Sequence, residues 1–97
     1  MNIVVYGGTE CPMCKPASDK LKEHGIKHNY RDIMRSIVRL KEFLALRDSR
    51  SEFDSIKKEG IIGIPCFYFV DEDKISFDVD EVIDYVKNNY DGKETIG

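Results

Sequence analysis

The stretch NIVVYGGTECPMC, residues 2–14, decides how this sequence is interpreted. Its first part, residues 2–6, is a short apolar run with two valines and an isoleucine, which is typical of a strand buried on both faces. Gly7-Gly8 ends this strand, and Pro12 has the backbone angle suited to the first turn of a helix. Cys11 and Cys14 therefore stand where a buried strand leads into a helix.

This position gives the two cysteines a predicted chemistry. A thiolate at a helix N-terminus faces unpaired backbone N–H groups and the positive end of the helix dipole, which can lower a cysteine pKa from ~8.5 to between ~3.5 and ~7.5. Cys11 is expected to be accessible at the turn, and Cys14 lies about one helical turn further on, close enough to form a disulfide. We expect Cys11 to attack a substrate disulfide and Cys14 to release the product by closing an internal disulfide.

The chain downstream of the motif alternates between strand and helix patterns. A helical stripe of Cys14, Ala17 and Leu21 is expected to end at Gly25. Further strands are predicted at residues 27–32, 65–70 and 74–77, and helices at residues 32–46, 51–60 and 78–89. Asp32 is the predicted cap of the long helix, whose apolar face would hold Ile33, Ile37, Leu40 and Leu44.

The order of elements, β-α-β-α-(α)-β-β-α, predicts an α/β fold. Strands joined by a helix are parallel, and strands joined by a short turn form an antiparallel hairpin. We therefore expect a mixed four-stranded sheet with helices on both faces. In the last helix, Asp78 and Glu81 have the spacing of a capping box, and Val82, Ile83 and Val86 form the apolar side.

Length and composition restrict the classes of protein to consider. The 97 residues suit one domain, predicted over residues 1–90 with a C-terminal tail at 91–97. A net charge of −3 without a basic stripe argues against a nucleic-acid partner, and the longest apolar window is about half of the ~20 residues that a membrane-spanning helix needs. Since no signal peptide is recognised, we expect a cytoplasmic protein. In the cytoplasm a close cysteine pair is more often catalytic or metal-binding than structural. We also expect a monomer.

The chain resembles glutaredoxins over roughly residues 1–90. The shared features are the N-terminal strand, the turn Cys11-Pro12-Met13-Cys14, and Ile64-Pro65 before an aromatic strand. The resemblance implies a thioredoxin fold in which Pro65 is cis and packs beside the cysteines, while the backbone of Ile64 pairs with the substrate. It implies catalytic roles for Cys11, Cys14 and Pro65, and substrate contacts from Pro12, Met13, Ile64 and Asp78.

The resemblance also implies the reaction and its partners. The substrates would be disulfide-containing proteins or glutathione mixed disulfides, with glutathione or a flavoprotein reductase as electron donor and no tightly bound cofactor or metal. Glutaredoxins usually have a lysine upstream of the first cysteine and a Gly-Gly pair before the last helix, where this chain has Gly7-Gly8-Thr9 and Ser76-Phe77. We therefore expect poor use of glutathione, although Asp78 could still hold its α-amino group.

Three alternatives remain open at the level of the sequence. A thiol-switch regulator related to arsenate reductases begins with the same strand, cysteine turn and helix, and an iron–sulfur carrier could use the cysteine pair in a dimer. Cys66, which follows Pro65, is expected to be a core residue, with a third redox thiol as the alternative. His24 and His28 are interpreted as solvated loop residues without a function.

Overall fold

Four strands form one mixed sheet in the computed structural model, which describes residues 2–89. The strands, in chain order, are β1 (Ile3–Gly7), β2 (Asn29–Asp32), β3 (Cys66–Phe69) and β4 (Lys74–Ser76), and their order in the sheet is β2-β1-β3-β4. Strand β1 pairs in parallel with β2 and antiparallel with β3, and β3 pairs antiparallel with β4. The predicted mixed four-stranded sheet is confirmed.

Helices cover both faces of this sheet. They are α1 (Cys14–Glu23), α2 (Ile37–Ser49), α3 (Asp54–Lys58) and α4 (Val79–Asn89), and a single 3-10 turn (Ser51–Phe53) leads into α3. One core cluster joins the sheet to α1 and α4 through residues that include Val5, Leu21, Phe67 and Val82. A second cluster joins the opposite face to α2 and α3 through residues that include Tyr6, Phe43, Phe53 and Cys66. The α/β architecture is that of the thioredoxin fold.

Two helices begin later than the sequence patterns predict. Helix α2 starts at Ile37 behind Ser36, whose hydroxyl oxygen accepts a hydrogen bond from the Arg39 N–H at 3.4 Å, so Asp32 is not its cap. Helix α1 starts at Cys14, so Pro12 lies in the turn before it. The starts of both helices were difficult to predict because a local sequence signal does not show which residues will instead form contacts with distant parts of the chain.

The predicted apolar face of α2 is only partly buried. Ile33 is buried and Leu40 packs against the second core cluster, but Ile37 is 66% exposed and Leu44 is 38% exposed. Phe43, which is fully buried, provides the main contact of this helix with the core.

The start of α4 is also built differently from the predicted capping box. Asp78 does accept a hydrogen bond from the Asp80 N–H at 2.9 Å, as a capping residue would. Glu81, however, accepts from the Ser76 hydroxyl at 3.0 Å, and the Ser76 oxygen in turn accepts from the Asp78 N–H at 3.3 Å. Ser76 thus stands between the two residues that a capping box would join directly.

No helix within residues 2–89 is long and apolar enough to cross a membrane. The predicted C-terminal tail, 91–97, lies outside the described residues, as do Met1 and Tyr90.

Candidate active site

Cys11 and Cys14 lie within disulfide-bonding distance, with their Cα atoms 5.5 Å apart. Cys11 is partly exposed in the turn after β1, whereas Cys14, the first residue of α1, is completely buried. The Cys14 N–H points to the Cys11 carbonyl oxygen at 3.4 Å, so the turn folds back on itself between them. Cys11 is therefore accessible to a partner molecule, whereas Cys14 is shielded from solvent.

The active-site turn, residues 8–13, is held by the end of β2. Asp32 accepts hydrogen bonds from the Thr9 hydroxyl, from the Thr9 N–H at 3.3 Å and from the Met34 N–H at 2.9 Å. Met34 lies against the same turn, since its sulfur is 3.2 Å from the Glu10 nitrogen. Burial of Asp32 by itself would raise the pKa of this carboxyl, but the hydrogen bonds from Thr9 and Met34 outweigh it and lower the pKa.

Gly8 makes this packing possible. A Cβ atom at this position would lie 2.7 Å from the Met34 sulfur, which is closer than such atoms approach one another. A side chain here would therefore force the flexible end of the Met34 side chain to move.

Pro65 faces the cysteine turn across a cavity of about 610 Å³. The Ile64–Pro65 peptide bond is cis, as the resemblance implied. Pro12 and Met13 line the cavity on one side, and Pro65, Phe77 and Asp78 line it on the other. Ile64 lies in an adjoining hollow that shares Pro65 and Phe77 with this cavity. The residues expected to contact substrate therefore lie together around this cavity and the adjoining hollow.

The mouth of this cavity at α4 is acidic. Asp80 forms an ion pair with Lys20 of α1 at 2.5 Å, and both side chains line the cavity. The first turn of α4 carries Asp80 and Glu81 directly after Asp78. Phe77 also lines the cavity, and its ring packs on Phe53 with the ring centroids 5.1 Å apart. Two carboxylates, one ammonium group and a large aromatic side chain therefore lie together where the cavity meets α4.

Comparison with known proteins agrees with this geometry. The family model named Glutaredoxin matches residues 3–75. The chain belongs to the glutaredoxin family. An uncharacterized protein of Haemophilus influenzae is 37% identical over 73 residues, which cover 75% of this chain and 84% of that protein. No solved structure matches the chain.

Cys66 does not join the pair formed by Cys11 and Cys14. It is completely buried in the second core cluster, on the face of the sheet opposite α1. Burial, with a smaller contribution from the negative charge of Glu52, raises the pKa of the Cys66 thiol to about 12. The prediction of a core residue is confirmed, and this thiol stays protonated at physiological pH.

His28 is not the solvated loop residue that the sequence suggested. Its Nε2 lies 2.6 Å from the hydroxyl of the buried Ser18, and its Nδ1 lies 3.1 Å from the carbonyl oxygen of Ile26. Because a carbonyl oxygen only accepts, Nδ1 carries a proton. His28 therefore connects the segment before β2 to α1 and has a structural role.

Thr9, Asp32 and Met34 were not predicted from the sequence to lie together at the active-site turn. A signal for them existed in the topology, because the carboxyl ends of neighbouring parallel strands meet at one edge of the sheet. Gly7 is in register with Asp32, which places residues 8 and 9 beside residues 32–34. Lys20 and Phe77 had no such signal, since they come from different elements joined only by packing.

Proposed function

We propose that this glutaredoxin-family protein is a dithiol oxidoreductase that reduces disulfides of other proteins in a reducing compartment such as the cytoplasm. The Cys11 thiolate attacks one sulfur of the substrate disulfide, so that a Cys11–substrate disulfide forms and the other substrate sulfur leaves as a thiolate. The Cys14 thiolate then attacks the Cys11 sulfur and expels the second substrate thiolate. Two electrons pass to the substrate, and glutathione or a flavoprotein reductase must restore the dithiol.

The observation that carries this proposal is the asymmetry of the cysteine pair. Cys11 is accessible before the start of α1 and Cys14 is fully buried as its first residue. The ammonium group of Lys15 is 2.8 Å from Asp19, so it is already paired. The Cys14 N–H bonds to the Cys11 carbonyl oxygen and Pro16 has no N–H, so the positive end of the α1 dipole is left as the main stabilising feature for a thiolate. The cavity between the cysteine turn and Pro65 supplies the space for the substrate.

A turnover assay tests the proposal. The protein is supplied with a disulfide-containing protein substrate and with two reductants in parallel, glutathione plus its reductase and thioredoxin reductase. We expect turnover with at least one reductant, its abolition in Cys11→Ser, and accumulation of a covalent enzyme–substrate disulfide in Cys14→Ser. Cys66→Ala serves as the control and should retain turnover. No turnover with either reductant, or turnover that survives Cys11→Ser, contradicts the proposal.

We further propose that glutathione is a weak substrate and donor for this protein. Glutathione carries two carboxylates, and glutaredoxins usually accommodate one end at the last helix behind a Gly-Gly pair. Here Asp78 precedes that helix, Asp80 and Glu81 lie in its first turn, and the large side chain of Phe77 lines the cavity beside it. The negative charge of this helix turn opposes a carboxylate, and the Asp78 side chain already occupies the Asp80 N–H.

The Lys20–Asp80 ion pair offers a direct test of this point. Asp80→Asn removes one negative charge and releases the Lys20 ammonium group for the glutathione carboxylate. We expect the KM for glutathione to fall by about twofold to fivefold, the range set by a partly exposed ion pair. Asp84→Asn removes an exposed carboxylate from the same helix and should leave the KM unchanged. A low glutathione KM in the unmodified protein, or equal effects of the two substitutions, would show the proposal to be wrong.

A further inference from the structure

An apolar groove of about 640 Å³ lies between α2 and the loop that leads to Pro65. Its lining includes Met34, Ile37 and Leu44 on one side and Ile61 and Ile62 on the other. These five residues are between 38% and 66% exposed, and they make up five of the eight large exposed apolar side chains found within residues 2–89. Such a concentration of exposed apolar side chains in one concave surface is typical of a binding site.

The charged side chains that line the groove are positive. Arg35 and Arg47 line it, and no carboxylate is among the lining residues that the structure describes. The protein as a whole has a net charge of −3, so this surface differs from the average of the molecule. A segment that combines aliphatic side chains with a carboxylate matches the groove in both respects.

Arg47 keeps the two walls of the groove together. Its Nε donates a hydrogen bond to the Ile62 carbonyl oxygen at 3.0 Å, and its Nη2 donates to the Ile61 carbonyl oxygen at 2.7 Å. The loop is thus attached to α2 by two bonds in the fork geometry of a guanidinium group. The groove is therefore formed before any partner arrives, which reduces the entropy lost on binding.

The groove is continuous with the candidate active site. At one end, Met34 contacts the active-site turn through Gly8 and the nitrogen of Glu10. Along the loop, Ile61 and Ile62 also line the hollow that contains Ile64 and Pro65. A polypeptide whose cysteine reacts at Cys11 can therefore extend directly into the groove.

We propose that the apolar groove binds an extended segment of the disulfide-bearing partner protein, with aliphatic residues and at least one Glu or Asp next to the reacting cysteine. This inference rests on the proposed function and deepens it, because it assigns a sequence preference to the substrate. The aliphatic side chains lie on Ile37, Leu44 and Ile61, and the carboxylate meets Arg35 at the rim.

Reduction of two synthetic peptide disulfides under single turnover tests the preference. In one peptide the cysteine is flanked on both sides by Leu, Ile and Glu, and in the other Lys replaces Glu; each is a disulfide-linked homodimer. The prereduced protein supplies both electrons, so no external donor is needed, and thiol release gives the rate constant. Bis(2-hydroxyethyl) disulfide is the small reference substrate, which reaches Cys11 without occupying the groove.

Two pairs of variants separate the groove from the rest of α2. We expect Ile37→Gln to slow reduction of the Glu peptide by about tenfold, since it removes apolar contact area, and to leave the small disulfide within about twofold. Val38→Gln changes the neighbouring side chain, which is 70% exposed and outside the groove lining, and should change neither rate. Arg35→Glu should abolish the preference for Glu over Lys, and Lys41→Glu, also outside the lining, should preserve it.

Three results would overturn the inference. Equal rates for the two peptides in the unmodified protein would show that there is no charge preference. Equal effects of Ile37→Gln and Val38→Gln would show that the groove does not bind the peptide. Self-association in sedimentation experiments that Ile37→Gln abolishes would assign the groove to a second copy of this chain instead. Failure of the unmodified protein to reduce even the small disulfide would refute the proposed function itself, a result distinct from the other three.

Discussion

At the scale of single residues, the two cysteines of the motif differ in access to solvent. Cys11 is partly exposed before α1, and Cys14 is completely buried. After reduction, we expect iodoacetamide to modify Cys11 first, with a pH midpoint below the ~8.5 of a free cysteine, because the positive end of the α1 dipole stabilises its thiolate. Mass spectrometry of peptides after short exposures identifies the site. Faster modification of Cys14, or equal rates at both, would contradict the assignment of Cys11 as nucleophile.

Cys66 gives a prediction about alkaline pH. Burial raises the pKa of its thiol from 9.0 to about 12, so the folded protein holds this proton in a pH range where the unfolded chain releases it. The stabilisation is complete below about pH 9 and is lost as the pH rises towards 12. In the oxidised protein Cys11 and Cys14 do not titrate. The tyrosines are present both in the unmodified protein and in a Cys66→Ala variant, so a comparison of the two isolates the Cys66 thiol.

The measurement compares the free energy of unfolding in urea at about pH 8 and about pH 10.5. The unmodified protein should lose more stability between the two than Cys66→Ala, although the variant is less stable at the lower pH because of the cavity that it leaves. Identical losses would show that the Cys66 thiol ionises as readily in the folded protein as in the unfolded chain.

At the scale of elements, the end of β2 determines the position of the active-site turn. Asp32 accepts hydrogen bonds from Thr9 and Met34, and each such bond contributes roughly 0.5–1.5 kcal/mol. We expect Asp32→Ala to lower the free energy of unfolding by about 1–3 kcal/mol and to speed hydrogen exchange at the Thr9 and Met34 amides. Because these bonds lower the pKa of Asp32, the same contacts weaken only when the pH falls below the ordinary range of a carboxyl group.

Asp48→Ala is the matched control for this element. It removes an exposed carboxylate near the end of α2, away from the active-site turn, and should change the free energy of unfolding by no more than about 0.5 kcal/mol. Equal effects of the two substitutions, or unchanged exchange at Thr9 in Asp32→Ala, would show that the turn holds its conformation without β2.

At the scale of the whole molecule, the sheet separates two cores of different composition. The cluster beneath α2 and α3 is aromatic, and Phe43 at its centre packs on Tyr6 and Phe53 with ring centroids 5.5 Å and 5.8 Å apart. We expect Phe43→Ala to cost about 3–5 kcal/mol in urea unfolding, a large part of the stability of a domain of this size. Val38→Ala, on the exposed side of the same helix, should stay within about 0.5 kcal/mol. A loss below about 1 kcal/mol for Phe43→Ala would mean that this core relaxes around the cavity.

The sequence by itself determined the sheet, the order of its elements and the cysteine pair. Strand and helix periods are local properties, so β1, the aromatic strand β3 and the apolar face of α4 could be predicted without neighbours. The burial of Cys66 could be predicted in the same way, because alternation along a strand places it on the face opposite Phe67. The turn Cys11-Pro12-Met13-Cys14 was equally local, because four residues contain both the nucleophile and its partner.

Only the tertiary structure decided which side chains surround that pair. Asp32 has the sequence pattern of a helix cap, yet pairing of β1 with β2 brings it to Thr9, and Ser36 caps the helix instead. Ile37 and Leu44 fit a buried helical face, but the loop at residues 60–62 stands beside α2 and leaves an open groove between them. These outcomes depend on contacts between residues far apart in the chain, and a periodic pattern gives the direction of a side chain but not the partner that it meets.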